Sequence, residues 1–235
     1  MGILTKTIDK YIYPDYQDNW DIFLFRDRIK KHLKADSVVL DLGAGAGIIP
    51  LDFKGQVLRV CGVDPDQRVL QNPYLDEAKT GCAESIPYDD ETFDIVICMH
   101  LLEHLCHPQD AFKEIHRVLK PKGSLFIKTT NKYHYVPVLA QITPLCFHKF
   151  YNKLRGRETE DTFPTYYRAN SERQINRYAE STGFSIESLE LIEGRPEYLR
   201  LTWPAYLIGS LIEKIVNSTR ILRNFRVVML VTMRK

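Results

Sequence analysis

The sequence predicts an α/β fold: a Rossmann-like sheet of seven strands, parallel except for one antiparallel strand, with helices on both faces and a cap formed by two insertions. Short runs of β-branched and aliphatic residues alternate with amphipathic stretches, as in doubly wound sheets. The first apolar run leads directly into a glycine-rich turn. No α/β crossover joins the last two apolar runs, which favours an antiparallel arrangement at the end of the chain.

Seven segments have the pattern of strands. Most are short runs rich in Val, Ile, Leu or Phe, bounded by glycine, proline or acidic residues. The third has the weakest apolar pattern. The predicted strands are residues 37–42, 57–63, 78–82, 93–99, 124–130, 184–193 and 225–235.

Three helices follow from apolar spacing and from start and stop signals. An amphipathic stretch at 19–34 precedes the first strand. A second helix is predicted for 110–119, with Pro121 and Gly123 as its stop. A third should begin with the capping box at Ser171 and run to Thr182. Gly183 then supplies the residue that ends it.

Length and composition predict one soluble domain spanning 1–235 with insertions at 132–170 and 195–224. The chain is 44% hydrophobic and 26% charged, with a net charge of +2, which gives no overall affinity for polyanions. Five cysteines without CxxC spacing, and no recognisable secretory signal, favour a reducing, cytoplasmic location. The longest apolar run, 203–212, is too short to span a membrane.

The glycine-rich turn suggests a nucleotide-like cofactor. In VVLDLGAGAGI (38–48), three glycines follow a buried strand, so a ligand can approach the backbone closely. Asp64 ends the next strand, where a carboxylate suits ribose hydroxyls. These features alone leave nicotinamide cofactors and S-adenosylmethionine both open. The spacing is G-x-G-x-G and not the dinucleotide G-x-G-x-x-G, and Asp41 would suit an ammonium better than a pyrophosphate.

Four motifs in order resemble those of the class I S-adenosylmethionine-dependent methyltransferases. VLDLGAGAG is similar to the first motif of that family and VCGVDPD to the second. GCAESIPYDDETFDIVICMHLLEH resembles the stretch GDAExLPFxDxSFDxVxxxxxLEH, and RVLKPKGSLFI resembles RVLKPGGxLxI. The resemblance covers residues 36–131 closely and 171–193 loosely. It implies a Rossmann-like fold, methyl transfer and S-adenosyl-L-methionine as the cofactor.

The resemblance also implies the cofactor contacts. The three glycines and Asp41 would surround the amino acid end, and Asp64 the ribose. Pro65 and Asp66 would flank the adenine, the backbone of Ala83 and Glu84 would meet its edge, and His100 would face both cofactor and acceptor. One departure is Cys82, where the family has an Asp that accepts the adenine amino group. The implied cofactor-binding residues are Asp41, Gly43, Gly45, Gly47, Asp64, Pro65, Asp66, Ala83, Glu84 and His100.

The segment HLLEH (100–104) supports three interpretations. Taken alone it matches the His-x-x-Glu-His signature of zinc peptidases. The resemblance instead places it in a loop or single turn after the fourth strand, without a metal. A divalent ion that assists methyl transfer is the third interpretation, because the similar ubiquinone-pathway O-methyltransferases carry Glu-x-x-Glu-His there. We expect no metal ligands, and His104 is the candidate general base. The alternative for His104 is a structural role.

The two insertions predict the class of acceptor. Each has a net charge of +3, and aromatic and aliphatic residues are mixed with the basic ones. From topology, both should converge over the cofactor as a lid. Such a lid suits a small anionic or amphiphilic acceptor, such as a lipid, a quinol precursor or a glycan, and is compatible with peripheral contact with an anionic membrane. The alternative is a structural cap with solvated basic residues. Regularly spaced basic and stacking residues, as in nucleic-acid proteins, do not occur.

Three functions remain in competition from the sequence. The first is methyl transfer from S-adenosylmethionine, most simply to an oxygen atom. The second is a nicotinamide-dependent oxidoreductase on a Rossmann fold. The third is a non-catalytic partner subunit that kept the fold, which the replacement at Cys82 leaves open.

Overall fold

The computed structural model describes residues 3–14, 16, 20–48, 51–142, 163–200 and 202–235. Its strands are β1 (Val38–Leu42), β2 (Arg59–Asp64), β3 (Glu77–Thr80), β4 (Phe93–Met99), β5 (Leu119–Thr130), β6 (Ser185–Ile192) and β7 (Val228–Arg234). The described helices include α1 (Ile3–Ile12), α2 (Trp20–Lys30), α3 (Pro108–Val118), α4 (Tyr135–Ile142), α5 (Glu172–Thr182) and α6 (Trp203–Ser218).

The seven strands form one mixed sheet, which confirms the predicted fold class. The strand order is β3-β2-β1-β4-β5-β7-β6, and the pairs β1–β2, β1–β4, β2–β3 and β4–β5 are parallel. β7 runs opposite to β5, because backbone bonds join Lys122 to Lys235 at one end and Asn131 to Val227 at the other. The carboxyl ends of β1, β2 and β4 therefore share one edge of the sheet. In folds of this kind, ligands bind at that edge.

Helix ends follow local signals where those signals are strong. α5 begins after Ser171, whose hydroxyl accepts the backbone N–H of Gln174, and ends at Gly183 with φ +84°. This matches the predicted capping box and glycine stop. α2 is shorter than predicted. α3 begins at Pro108, two residues earlier than predicted, because proline fits the first turn of a helix.

The start of β5 differs from the prediction. We expected Pro121 and Gly123 to separate a helix from a strand that begins at residue 124. Instead β5 begins at Leu119, which pairs with Phe93 before a register irregularity. Proline lacks an N–H donor, and it can be tolerated near the beginning of a strand.

The chain divides into two compact units. The sheet unit comprises Asp21–Thr129, Thr165–Glu190 and Met229–Lys235. The insertion unit comprises Met1–Trp20, Thr130–Pro164 and Leu191–Val228. The insertion unit thus contains much of both predicted insertions and, in addition, the N-terminal segment with α1, which the sequence did not associate with them. A single domain with a lid over the cofactor remains a prediction.

In the insertion unit, polar contacts tie α1 to the segment after β6. Asp9 of α1 accepts hydrogen bonds from the Arg200 guanidinium (2.7 Å) and from the Tyr206 hydroxyl (2.5 Å). Arg195 lies 3.3 Å from Asp9 and 2.6 Å from Glu197. Burial acts to raise the pKa of Asp9, but these partners outweigh it and the pKa is lowered. Two basic residues of the second insertion therefore balance internal carboxylates. Within the described ranges, every helix is too short or too polar to span a bilayer.

Candidate active site at the carboxyl edge of the sheet

The glycine-rich turn after β1 has a backbone that only glycine adopts easily. Gly43, Gly45 and Gly47 all have left-handed φ angles, of +83°, +50° and +77°. A Cβ on Gly47 would lie 2.6 Å from the Asn72 Oδ1 atom, whereas a Cβ on Gly45 would meet no protein atom within 4 Å. Gly45 therefore borders open space, which a bound group could approach closely.

Asp64 and the glycine turn are joined by backbone hydrogen bonds. Asp64 ends β2, and its two carboxylate oxygens accept the N–H groups of Gly45 (2.9 Å) and Asp66 (2.8 Å). A carboxylate has about four acceptor positions, so two remain for hydroxyl donors such as those of a ribose. The Gly43 N–H also bonds the carbonyl of Val63.

Asn72 supports the turn from the other side, and sequence reasoning missed it. Its side-chain amide donates to the carbonyls of Ala44 and Gly45, both at 3.2 Å, and its Oδ1 accepts the Tyr74 N–H. Asn72 directly follows the short 3-10 helix Gln67–Gln71, and no sequence motif marks it.

Asp41 is an acidic group suited to a cation. It lies in β1 two residues before Gly43, and its carboxylate accepts no hydrogen bond from the described residues. Burial, and then the charge of Asp64, raise the pKa of Asp41 to about 7. Two carboxyl groups thus lie close enough to repel each other at the start of the glycine turn. A positively charged group placed there would relieve this repulsion.

The other predicted adenine-side residues follow β2 and β3. Asp66 caps the 3-10 helix after Asp64, and its carboxylate accepts the backbone N–H of Arg68 (2.9 Å). Pro65 is exposed, Ala83 is buried, and Glu84 lies 3.4 Å from the His107 N–H. Their contacts with a cofactor stay predictions. The same holds for the replacement of the adenine contact at Cys82, which is exposed.

HLLEH does not lie within a regular α-helix. His100 has a left-handed φ of +56°, and residues Leu102–His104 form a single 3-10 turn. The helical arrangement that would place two histidines on one face is therefore not formed. Among the described residues, no group of three or more His, Cys, Asp or Glu side chains is arranged to hold a metal ion.

His100 and Glu103 instead belong to a polar network, in which Glu103 is buried and the His100 side chain is 41% exposed. The Lys128 ammonium lies 2.6 Å from His100 Nε2 and 2.8 Å from an Asp21 oxygen. Because an ammonium group only donates, Nε2 accepts and the ring proton lies on Nδ1, which faces Glu103 Oε1 at 3.3 Å. The Thr129 hydroxyl donates to Glu103 at 2.6 Å. The side-chain amide of Asn170 in turn donates to Thr129 at 2.7 Å.

Glu103 is ionised in this network. It is 6% exposed, and burial acts to raise its pKa. Hydrogen bonds from His100 and Thr129 outweigh burial and lower the pKa to about 2. We define the Glu103 network as Asp21, His100, Glu103, Lys128, Thr129 and Asn170. A lysine inside the apolar run SLFIKTT is the sequence signal that could have revealed it.

His104, the candidate base, follows Glu103 in the 3-10 turn. Its side chain is partly exposed, and its backbone N–H bonds the carbonyl of Leu101. The Leu101 side chain packs next to Gly43, since a Cβ there would lie 3.2 Å from the Leu101 Cδ1 atom. The turn that carries His100 and His104 is thus adjacent to the glycine turn.

A cleft of about 410 Å³ lies at the opposite, amino edge of the sheet. Lys34, Asp94 and Lys120 are among the residues that line it, and none of the predicted site residues does. Asp94 is internally satisfied there, because it accepts the Val38 N–H and the Lys120 ammonium, each at 2.8 Å.

Comparison with known proteins assigns the family. A family model described as a methyltransferase domain matches residues 16–189. An uncharacterized methyltransferase, YcgJ of Bacillus subtilis, is 33% identical over 113 residues, which are 44% of this chain and 43% of that protein. A ubiquinone biosynthesis O-methyltransferase of Pseudomonas fluorescens is 26% identical over 167 residues, covering 66% of this chain and 67% of the relative. The match to several relatives thus spans only about half of their length.

Solved structures support the same fold. A protein of Pyrococcus horikoshii, PH0226, superposes with a TM-score of 0.59 at 18% identity, covering 100% of this chain and 99% of the other. A putative sarcosine dimethylglycine methyltransferase from Galdieria sulphuraria gives 0.59 at 15% identity, with 98% of both chains covered. The site fits S-adenosylmethionine. Gly45 leaves open space for the ligand, Asp64 can accept from ribose hydroxyls, and Asp41 suits the ammonium group. The chain therefore belongs to the class I family of S-adenosylmethionine-dependent methyltransferases.

Proposed function

We propose that the enzyme transfers the methyl group of S-adenosylmethionine to an oxygen atom of a small amphiphilic acceptor. The family assignment favours methyl transfer over the oxidoreductase and the non-catalytic subunit that the sequence left open. Several relatives are named ubiquinone biosynthesis O-methyltransferases, which supports a hydroxyl acceptor with an apolar portion, such as a quinol precursor or another lipid. A glycan is the more polar alternative.

The observation that carries the amphiphilic acceptor is the surface of the insertion unit. Large apolar side chains there are exposed on α4 and α6, including Val138, Leu139, Leu207 and Leu211. Exposed apolar surfaces of this kind mark sites that meet apolar partners, and an acceptor with an apolar portion is one of these. We also propose that the enzyme works in the cytoplasm, in peripheral contact with a membrane. The cysteines Cys61, Cys82, Cys98 and Cys106 are free thiols, which suits a reducing compartment.

The chemistry assigns distinct tasks to the residues of the site. The bound cofactor supplies a methyl group attached to a positively charged sulfur. Asp64 would hold the ribose and Asp41 the ammonium, so that the methyl group points in one direction. We propose that the His104 ring takes the proton of the acceptor hydroxyl as the oxygen–methyl bond forms and the sulfur–methyl bond breaks. His100 has both ring nitrogens engaged, so it positions the turn and does not compete as the base.

The test uses S-adenosylmethionine with a labelled methyl group and two phenolic acceptors that differ only in a prenyl chain. We expect label in the prenylated product, and mass spectrometry should place the methyl group on oxygen. Equal turnover of the unprenylated phenol would overturn the amphiphilic acceptor, and label on nitrogen or carbon would overturn O-methylation. Added chelator should leave the rate unchanged, since we propose a reaction without a metal.

The role of His104 is tested with His104→Ala and the matched variant His107→Ala, an exposed histidine three residues further on. We expect kcat to fall roughly 100-fold or more for His104→Ala, with unchanged affinity for S-adenosylhomocysteine. His107→Ala should retain normal kcat. An unaltered pH profile in His104→Ala would assign His104 a structural role.

A further inference from the structure

Helix α6 presents an apolar face to solvent. At about 100° per residue, its sixteen residues divide into two halves. One half is buried and contains Tyr206, Gly209, Ser210 and Val216. The exposed half carries six large apolar side chains: Trp203 (49% exposed), Leu207 (46%), Ile208 (60%), Leu211 (61%), Ile212 (43%) and Ile215 (47%).

The helix cannot rotate to bury this face, because its opposite side is fixed within the insertion unit. The Tyr206 ring is fully buried, and its hydroxyl donates to Asp9 of α1. At Gly209 the helix backbone approaches Leu199 and Pro196 so closely that a Cβ would lie 2.7 Å from Leu199 Cδ1. The exposed half is therefore a permanent surface of the insertion unit.

Charge around this face favours an anionic partner. Glu213, the only acidic residue of α6, is half-buried and accepts the Tyr13 hydroxyl at 2.9 Å, away from the exposed half. Lys214 is exposed at the edge of the apolar face, and Arg220 is exposed just beyond the helix end. The cationic groups are therefore left to face outward, beside an apolar surface without negative charge.

We propose that the exposed half of α6 lies on a bilayer that contains anionic lipids, with the helix in the plane between headgroups and acyl chains. An apolar half flanked by basic residues is the pattern of interfacial helices. Sixteen residues span only about 24 Å, less than the roughly 30 Å of a bilayer core, so the helix rests on the surface and does not cross it. Trp203 and Phe225, both half-exposed, would anchor the two ends at the headgroup level.

The contact with anionic lipids rests on the proposed function. The same bilayer would also supply the apolar acceptor. The test is co-sedimentation of the full chain with phosphatidylcholine vesicles, with and without phosphatidylglycerol. We expect binding to the anionic vesicles that weakens as salt is added. Ile208→Gln combined with Leu211→Gln should lower the partition coefficient at least about tenfold. Lys214→Gln should lower it roughly fivefold.

Leu58→Gln is the matched control, because Leu58 is equally exposed (67%) but lies in the sheet unit. It should bind vesicles like the wild type. Equal binding by the Ile208/Leu211 double variant, or none by the wild type, would overturn the inference. A lower oligomer mass of the double variant in the absence of lipid would also overturn the inference, because it would show that the exposed half of α6 is a contact between two copies of the chain. Lys214→Gln should methylate a detergent-dispersed acceptor at the wild-type rate, which separates failure of the membrane contact from failure of the proposed reaction.

Discussion

Replacement of Glu103 by glutamine is expected to destabilise the protein at neutral pH, and less so as the pH falls. The Glu103 carboxylate accepts hydrogen bonds from Thr129 (2.6 Å) and from His100 (3.3 Å). Both partners donate, whereas a glutamine amide offers only one acceptor oxygen. One buried donor is then left facing an NH2 group.

The magnitude follows from the pKa. The pKa of Glu103 falls from its ordinary 4.5 to about 2 on folding. At about 1.36 kcal/mol per unit, this contributes up to about 3 kcal/mol of stability. Since the folded pKa is depressed, the contribution is complete above pH 4.5 and is lost as the pH falls through 2. At pH 3, less than half of it remains, roughly 1.4 kcal/mol.

Urea unfolding at several pH values measures this directly. The free energy of unfolding of Glu103→Gln should lie about 3 kcal/mol below that of the wild type at pH 7, and the gap should narrow below pH 4.5. Glu180→Gln, an exposed residue of the same unit, is the control and should stay within about 0.5 kcal/mol of the wild type. If the free energies of unfolding of the wild type and Glu103→Gln differ equally at pH 7 and at pH 3.5, the ionised, hydrogen-bonded Glu103 carboxylate does not stabilise the 3-10 turn Leu102–His104.

Three further predictions concern the site. Asn72→Ala removes both side-chain bonds to the carbonyls of the glycine turn, so calorimetric affinity for S-adenosylhomocysteine should fall about tenfold; an unchanged affinity would show that the turn holds its shape alone. Because the pKa of Asp41 is raised to about 7, its ionisation costs stability as the pH rises from 3.8 through 7. Asp41→Asn should therefore raise the thermal midpoint at pH 8 and weaken the binding of S-adenosylmethionine. The affinity of the wild type for S-adenosylmethionine should decline below pH 7, whereas the affinity of the variant should not change with pH. Lys128→Met removes the donor to His100 Nε2. The 15N NMR chemical shifts of the His100 ring should then no longer indicate a single, Nδ1-protonated tautomer. Unaltered chemical shifts would mean that Lys128 does not set the tautomer.

The strands and the glycine turn were predictable because their signals are local. Buried parallel strands are continuous apolar runs, and a left-handed turn needs glycine wherever it occurs. The same reasoning gave the wrong start for β5. Pro121 and Gly123 are breakers inside a sheet, but they are tolerated at a strand's beginning, and sequence alone does not show where a strand begins to pair.

The Glu103 network was not predictable from spacing. Asp21, Lys128 and Asn170 come from distant parts of the chain, and only the folded sheet brings them to His100 and Glu103. A motif marks the residues that a family shares, whereas the groups that hold those residues in place are set by packing. For α6 the reverse holds. Its apolar composition was evident, but which half is buried depends on Asp9 and on the close approach at Gly209.

We expect the cofactor to occupy the space over Gly45, where Asp64 would hold it. Gly45→Ala and Gly55→Ala form a matched pair, since both glycines have positive φ (+50° and +77°) and a Cβ on either meets no protein atom within 4 Å. Both variants should lose roughly 1–2 kcal/mol of stability to backbone strain. Titration with S-adenosylhomocysteine should show near-normal binding by Gly55→Ala and a loss of at least about 100-fold by Gly45→Ala, because only there would the new methyl group fill space that the ligand needs. Equal affinities in the two variants would show that the cofactor binds elsewhere.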